Sequence, residues 1–309
     1  MSRRIRYVPP GGALVEVTCR TLQSRQLLRP SPLLREITLG ILGRAQKRSG
    51  VAIHAFVFLA THYHLLVSVA DADQLADFVG YLNSNLAREV GRIYEWKEKV
   101  WGRRYQGILV SEEEEAQVER LSYLVRQGCK EGLVSDPLEW PGATSWQAML
   151  DGSSLTGTWF DRTAECLVRR KGRAVGDREF TEAECVVLTP LPAWTHLEPE
   201  IQRERLRELL DLARAEAEAL KRETGRKPLG REAVLRQDPY RAVVGSKRSP
   251  APLVHAASRR VRLAYREAYR LFTLAYRRAA EQLRAGLTSV VFPEGCFPPP
   301  GPFLRPVAA

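Results

Sequence analysis

The 309-residue chain has no stretch approaching the ~20 consecutive apolar residues that a transmembrane helix needs. Its first segment, MSRRIRYVPPGG, is basic but lacks the apolar run of a secretory signal. Cysteine is sparse and odd in number: Cys19, Cys129, Cys166, Cys185 and Cys296 are scattered, with no CxxC pair. That pattern excludes a disulfide scaffold and a Cys-rich zinc module, and a reducing cytoplasm is the expected location. No internal repeat is visible. With 44% apolar and 27% charged residues, the composition is that of an ordinary globular protein, which excludes global disorder, collagen and a coiled-coil rod.

What the chain does have is arginine. Lys and Arg total 47 against 36 Asp and Glu, a net charge of +11, and only eight of the cations are Lys. Such an excess attracts polyanions such as nucleic acid, or keeps a protein soluble within an Arg-rich composition. The charge is localised. Residues 1–50 hold ten cations and two acids, net +8, and residues 240–284 hold eleven and two, net +9, so the remainder is slightly acidic. Two basic ends around an acidic middle point to distinct surfaces.

Length suggests about two domains, and the pattern places them at 1–150 and 200–309, joined by a loop-rich connector over 151–199. In the first part, Ala13–Arg20 alternates as a strand, with Glu16 and Thr18 read as outward. Ser31 and Pro32 then start a helix that Gly50 closes. Val51–Ala60 and Tyr63–Val69 read as two strands around a turn at Thr61-His62, close enough to pair antiparallel. Asp71 or Asp73 opens a helix to about Ile93, Trp101–Val110 is a loop entering a strand, and Ser111 caps a helix whose first turn is Glu112–Glu115. That order predicts an α+β fold, an antiparallel sheet with helices on one face. Beyond it, helices are expected over Glu200–Glu223, over 229–236 and over Leu253–Arg284, followed by a Pro-rich tail. The C-terminal region is therefore mainly α-helical.

Two of the five histidines form His62-Tyr63-His64. On a strand, residues i and i+2 share a face, so both imidazoles aim at one point, a bidentate metal platform or simply a polar patch. Tyr123 and Gln127 stand four apart on a predicted helix and so share a face.

Taken together, HAFVFLATHYHLLV and the stretch from YLNSNLAREV to PGATSW resemble the single-tyrosine HUH transposases (His–hydrophobic–His) of insertion-sequence type. The likeness spans about residues 8–150 and is nearest to the REP-associated tyrosine transposases. It implies a ferredoxin-like, RRM-like endonuclease domain in which His62, His64 and Gln127 hold Mg²⁺ or Mn²⁺ and Tyr123 is the nucleophile. It also implies cleavage and rejoining of single-stranded DNA at hairpin-flanked sites through a 5′-phosphotyrosine, without ATP, by a monomer or homodimer associated with the nucleoid. The sequence departs from the family in two places: Ala60-Thr61 replaces Pro-Asn before the first His, and Gln127-Gly128 replaces the Asn-Pro of the nearest branch.

Candidate DNA contacts are Arg20, Arg25, Trp101, Arg103, Arg104 and Tyr105, cations interleaved with aromatics that could hold phosphates and unstacked bases. Packing at a strand entrance is the other reading of Trp101 and Tyr105. Tyr265, Tyr269, Phe272 and Tyr276 make a stripe in the last helix, read either as core or, with the flanking arginines, as an accessory DNA grip. The rival functions are a domesticated, non-catalytic nucleic-acid-binding protein and a metal hydrolase that uses water in place of Tyr123.

Overall fold

The computed structural model of the chain describes residues 5–173, 176, 179–242, 252–287 and 289–296. The alternating and helical patterns of the first 130 residues become β1 (Ala13–Arg20), α1 (Pro32–Ser49), β2 (Ala52–Phe58), β3 (His62–Val69), α2 (Ala72–Ile93), β4 (Gln106–Val110), α3 (Glu114–Val125) and the short α4 (Gln127–Lys130). The caps act as the residue types predict. Ser31 Oγ accepts from Leu34 N at 3.1 Å, with Pro32 in the first turn, and Gly50 ends α1 in the left-handed region at φ 69°. Asp71 accepts from Gln74 N at 2.7 Å to begin α2.

Downstream come α5 (Trp146–Asp151), β5 (Leu155–Phe160), α6 (Arg162–Arg170), β6 (Thr181–Val186), α7 (Pro199–Thr224), α8 (Arg231–Leu235), β7 (Val254–His255) and α9 (Arg259–Arg284). The main sheet runs β2-β3-β1-β4-β7. Its first four strands pair antiparallel, and β7 adds in parallel to β4. The α+β class is as the sequence indicates, with one difference of consequence: helices cover both faces. Val15, Val17, Cys19, Leu65 and Val67 face α1 and α2, packing with Leu42, Phe78 and Leu82. Leu14, Leu66, Val57 and Val110 face the opposite way, against Leu121 and Leu124 of α3 and Leu206 and Leu210 of α7. Both edges of the sheet are covered too. β7 lies on β4, with Leu109 N and Ser111 N donating to the carbonyls of Leu253 and His255, and Thr189 N donates to Ile53 O beside β2. Covered edges remove the unpaired backbone that invites aggregation.

Three expected boundaries move for identifiable reasons. The connector over 151–199 carries β5, α6 and β6, an antiparallel pair seated on α1. Its contact is close enough to require glycine: a Cβ on Gly157 would lie 2.1 Å from Glu36 O, and one on Gly40 would lie 2.2 Å from Thr158 backbone. The last helix starts at Arg259 and not at Leu253, because 253–255 is taken up by pairing to β4. Helix α3 starts at Glu114, and Ser111 does not cap it. Glu113 instead accepts from Ala257 N at 2.9 Å and Ser258 N at 3.2 Å, so an acid next to one helix serves the start of another. The aromatic stripe of α9 is core: Phe272 stacks on Tyr7 at 4.5 Å, and Tyr276 meets Phe292 at 5.2 Å. Most of the Pro-rich tail, 297–309, lies outside the described residues. No described helix is long and apolar enough to cross a membrane.

Two stability predictions follow from this packing. Gly157→Ala drives a methyl into the backbone of α1 and should cost about 2 kcal/mol or more in a urea melt, with an unchanged midpoint contradicting the close approach. His54 is 3% exposed at the bulge of β2, its Nδ1 facing the Thr189 and Pro190 carbonyls and its Nε2 facing Ser68 Oγ. Burial holds its pKa below the usual imidazole value despite the two carbonyl bonds. The unfolded chain then takes up a proton that the native state refuses. Stability present above about pH 6.5 is lost as pH falls below it. Thermal scans from pH 7.5 to 5 should show this decline, and it should be shallower in His54→Gln.

Candidate active site

Strand parity decides where the two histidines go. His62 and His64 share their face of β3 with Leu66, the face under α3, and both are buried. Their rings lie 5.0 Å apart, nearly perpendicular at 78°. Across the β1–β3 ladder, His64 stands opposite Thr18 and His62 opposite Arg20.

Each imidazole is oriented through its Nδ1. His62 Nδ1 meets Thr61 Oγ1 at 2.8 Å. His64 Nδ1 lies 2.8 Å from Glu16 Oε1, on the diagonal of the ladder. Glu16, expected to point outward, is only 1% exposed. Its other oxygen, Oε2, pairs with Arg120 of α3 at 2.6 Å. Burial pushes the Glu16 carboxyl up, but the His64 hydrogen bond and the charges on His64, Arg120 and His255 outweigh it and hold the pKa below the ordinary value. The Glu16 contact engages Nδ1 of His64 and leaves Nε2 facing the space below α3. That Nε2 is buried without a hydrogen-bond partner.

Helix α3 and its continuation bring the remaining groups. Arg120, Tyr123 and Gln127 recur at three- and four-residue spacing, so they share the face turned to β3. The turn at Arg126 splits the helix yet keeps right-handed helical angles, so Gln127 stays on that face, and its Nε2 donates to Tyr123 O at 3.1 Å. Tyr123 stands edge-on to His64, ring centroids 5.4 Å apart at 84°. The Arg120 guanidinium covers its ring at 4.1 Å, and Lys130 Nζ approaches at 5.5 Å. Burial, then the charges of His64 and Arg20, drives His62 well below the usual imidazole value, while a hydrogen bond donated by its ring to Gln127 opposes them. His62 is therefore neutral at pH 7, the form that offers a lone pair.

Four of the residues singled out in the sequence, His62, His64, Tyr123 and Gln127, thus converge, with the exposed Arg20 at their edge. Arg103 and Arg104 are exposed on the loop before β4. Three others are engaged elsewhere. Trp101 donates to Asn83 O at 2.8 Å and stands edge-on to Tyr63. Tyr105 packs against the α1–α2 core under Arg6, and Arg25 donates to the Tyr240 carbonyl beneath Trp96. Glu16 and Arg120 escaped the sequence reading. Their signal is present: Glu16 shares parity with Leu14 on a strand facing His64, and Arg120 lies three residues before Tyr123.

Among the described residues no three His, Cys, Asp or Glu side chains cluster to hold a metal. A cation here would take two imidazoles and the Gln127 amide. The donor set fits: both Nδ1 atoms are held by oxygen partners, and His64 Nε2 is buried with nothing to bind.

Residues 15–127 match the family model described as "Transposase IS200 like", a span that opens on β1 and closes on Gln127. This part of the chain is similar to the IS200-like transposases. Solved structures with likeness include a REP-associated tyrosine transposase bound to a REP hairpin, at 16% identity and TM-score 0.40, covering 61% of this chain and 100% of that one. Another is a protein from Deinococcus radiodurans described as a candidate transposase, at 21% identity and TM-score 0.28, covering 39% of this chain and 95% of that one. No curated protein matches.

Glu16→Ala should leave Arg120 without its buried counter-charge and cost roughly 3 kcal/mol in chemical denaturation, where the isosteric Glu16→Gln costs less. Equal stability of the Ala variant and the parent would contradict the pairing.

Proposed function

We propose that the protein is a DNA strand transferase that cuts and rejoins single-stranded DNA beside imperfect-hairpin repeats, with Tyr123 as nucleophile and Mg²⁺ or Mn²⁺ held by His62, His64 and Gln127. The observation that carries this reading is the tyrosine ring standing edge-on to an imidazole whose outward nitrogen is buried and unpartnered.

In the forward step the Tyr123 hydroxyl oxygen bonds to phosphorus and loses its proton. The bond from phosphorus to the 3′-oxygen breaks, and that oxygen leaves as a 3′-hydroxyl. The product is a 5′-phosphotyrosine that keeps the energy of the broken diester, so a later 3′-hydroxyl restores the strand without ATP. A phenol of pKa near ~10 is mostly protonated at neutral pH and needs help. Arg120 and Lys130 bring positive charge to the ring and to the incoming phosphate. The divalent ion, when bound, would polarise the scissile phosphate and stabilise charge on its oxygens. Glu16 fixes the tilt of the His64 ring, and Thr61 does the same for His62. Arg20, Arg103 and Arg104 supply cations at the rim for the phosphates of the strand, and Trp101 and Tyr105 brace the loop that carries them.

Incubation with Mg²⁺ or Mn²⁺ and a labelled single-stranded oligonucleotide carrying a repeat hairpin should give a protein–DNA adduct that survives denaturing electrophoresis. Tyr123→Phe should abolish the adduct, and His64→Ala should lower it by at least ~100-fold. Binding without any adduct would favour the non-catalytic reading. Cleavage that persists in Tyr123→Phe would favour a hydrolase using water.

A further inference from the structure

The family match ends at Gln127, and the second basic window of the chain lies far beyond it. The fold brings that window back to the active-site helix. Strand β7 and the start of α9 enclose, with α3, a cavity of about 400 Å³ lined by Glu119, His255, Arg262 and Arg266. Glu119 is one helical turn before Tyr123 on α3, about 6 Å along the axis and on the same face. The cavity therefore opens beside the nucleophile, on the side away from Gln127.

Its charge favours an anion. Arg262 and Arg266 are four apart on α9 and point to the same side. Neither has an ion pair with an acid among the described residues; Arg262 reaches only the Ala256 carbonyl at 3.5 Å. The single acid of the lining, Glu119, is engaged by His255 Nε2 at 2.7 Å. The helix start offers no competing site, because Glu113 already accepts from Ala257 N and Ser258 N. Beyond the cavity the inner face of α9 is closed by its aromatic packing, while Arg259, Arg277 and Arg278 are exposed. The cations thus form a row that begins at the cavity and runs along α9.

We propose that this cavity is a DNA-backbone subsite: Arg262 and Arg266 hold phosphodiesters of the strand whose scissile phosphate lies at Tyr123, and the outer arginines of α9 continue the contact along the flanking hairpin stem. The proposal rests on the strand-transferase reading for its choice of ligand. A duplex carries one phosphate per ~3.4 Å of each strand, so one helical turn of α3 spans about two nucleotides.

The test compares the parent protein with the double variant Arg262→Ala/Arg266→Ala. Both residues are exposed enough for replacement to leave the fold intact. Arg170→Ala/Arg226→Ala, on other surfaces, matches the change in net charge. Binding to a hairpin-bearing oligonucleotide is measured from 50 to 300 mM salt, alongside adduct formation on a short oligonucleotide that ends near the cut. The plot of log affinity against log salt should flatten by about 1.4 to 1.8 in the double variant, as expected for two lost phosphate contacts. The control pair should keep the parental slope, and Arg262→Lys/Arg266→Lys should restore most of the slope. Equal slopes in the double variant and the parent, or equal losses in the double variant and the control pair, would overturn the subsite. A parent that shows the salt-dependent binding but never forms an adduct would overturn the strand-transferase reading and leave the DNA contact standing.

Discussion

The site hangs on one buried carboxylate. Glu16 sits on the central strand of the sheet, 1% exposed, between His64 and Arg120. An ionised carboxylate in that position is tolerable only if both oxygens are met, since an unmet charge in the interior costs several kcal/mol; Oε1 takes the His64 contact, and Oε2, which has no hydrogen bond, is met by the Arg120 charge at 2.6 Å. Meeting them fixes three things at once. His64 must present Nδ1 to the sheet and Nε2 to the space below α3. Arg120 must turn inward, which sets the rotation of α3. Tyr123, three residues further on, is then held edge-on to His64.

The charge balance follows from the same contact. Arg120 supplies the counter-charge to Glu16. His62 is kept neutral by burial and by the cationic neighbourhood of His64 and Arg20. Two imidazoles with their Nδ1 atoms already engaged have little rotational freedom left. The sheet face toward α1 and α2 shows nothing comparable; its side chains pack as an apolar core. The chemistry is confined to the one corner where β1 and β3 pass beneath α3.

How far this was legible in the sequence depended on sheet coverage. The period-2 and period-3.6 patterns of residues 13–125, with Ser31, Gly50 and Asp71 at the helix ends, sufficed for the first seven elements. Parity also placed His62 and His64 together. Parity alone could not tell buried from outward, however, because it assumed one bare face. With α3 and α7 on that face, Glu16 becomes the most enclosed acid of the site and not a solvated one. The β5–β6 pair was hidden for a different reason: LTGTWF and TEAECV are short and half polar, and they earn their place by the approach of Gly157 to Gly40 of α1. Strand β7 is two residues long and exists only because an edge of β4 needed a partner. No local pattern announces either of these. The aromatic stripe of α9 had two readings, and Tyr7, hundreds of residues away in sequence, decides it as core.

Helix α3 is tethered along its length, and the tethers differ in strength. Arg205 reaches Glu114 at its N-terminal end, and just past its C-terminal end Arg126 meets Glu216 at 2.7 Å. Both pairs are open to solvent, where an ion pair contributes about 1 kcal/mol at most and weakens with salt. The Arg120–Glu16 pair is different: its members are 14% and 1% exposed, and separating them would strand a carboxylate inside the sheet. The proposed strand transfer would need the helix that carries Tyr123 either fixed or switchable. Moving Tyr123 away from His64 would cost this buried pair as well as the apolar packing of Leu121 and Leu124 on the sheet. The same carboxylate holds Nδ1 of His64, so displacing the helix and freeing that imidazole are one event rather than two.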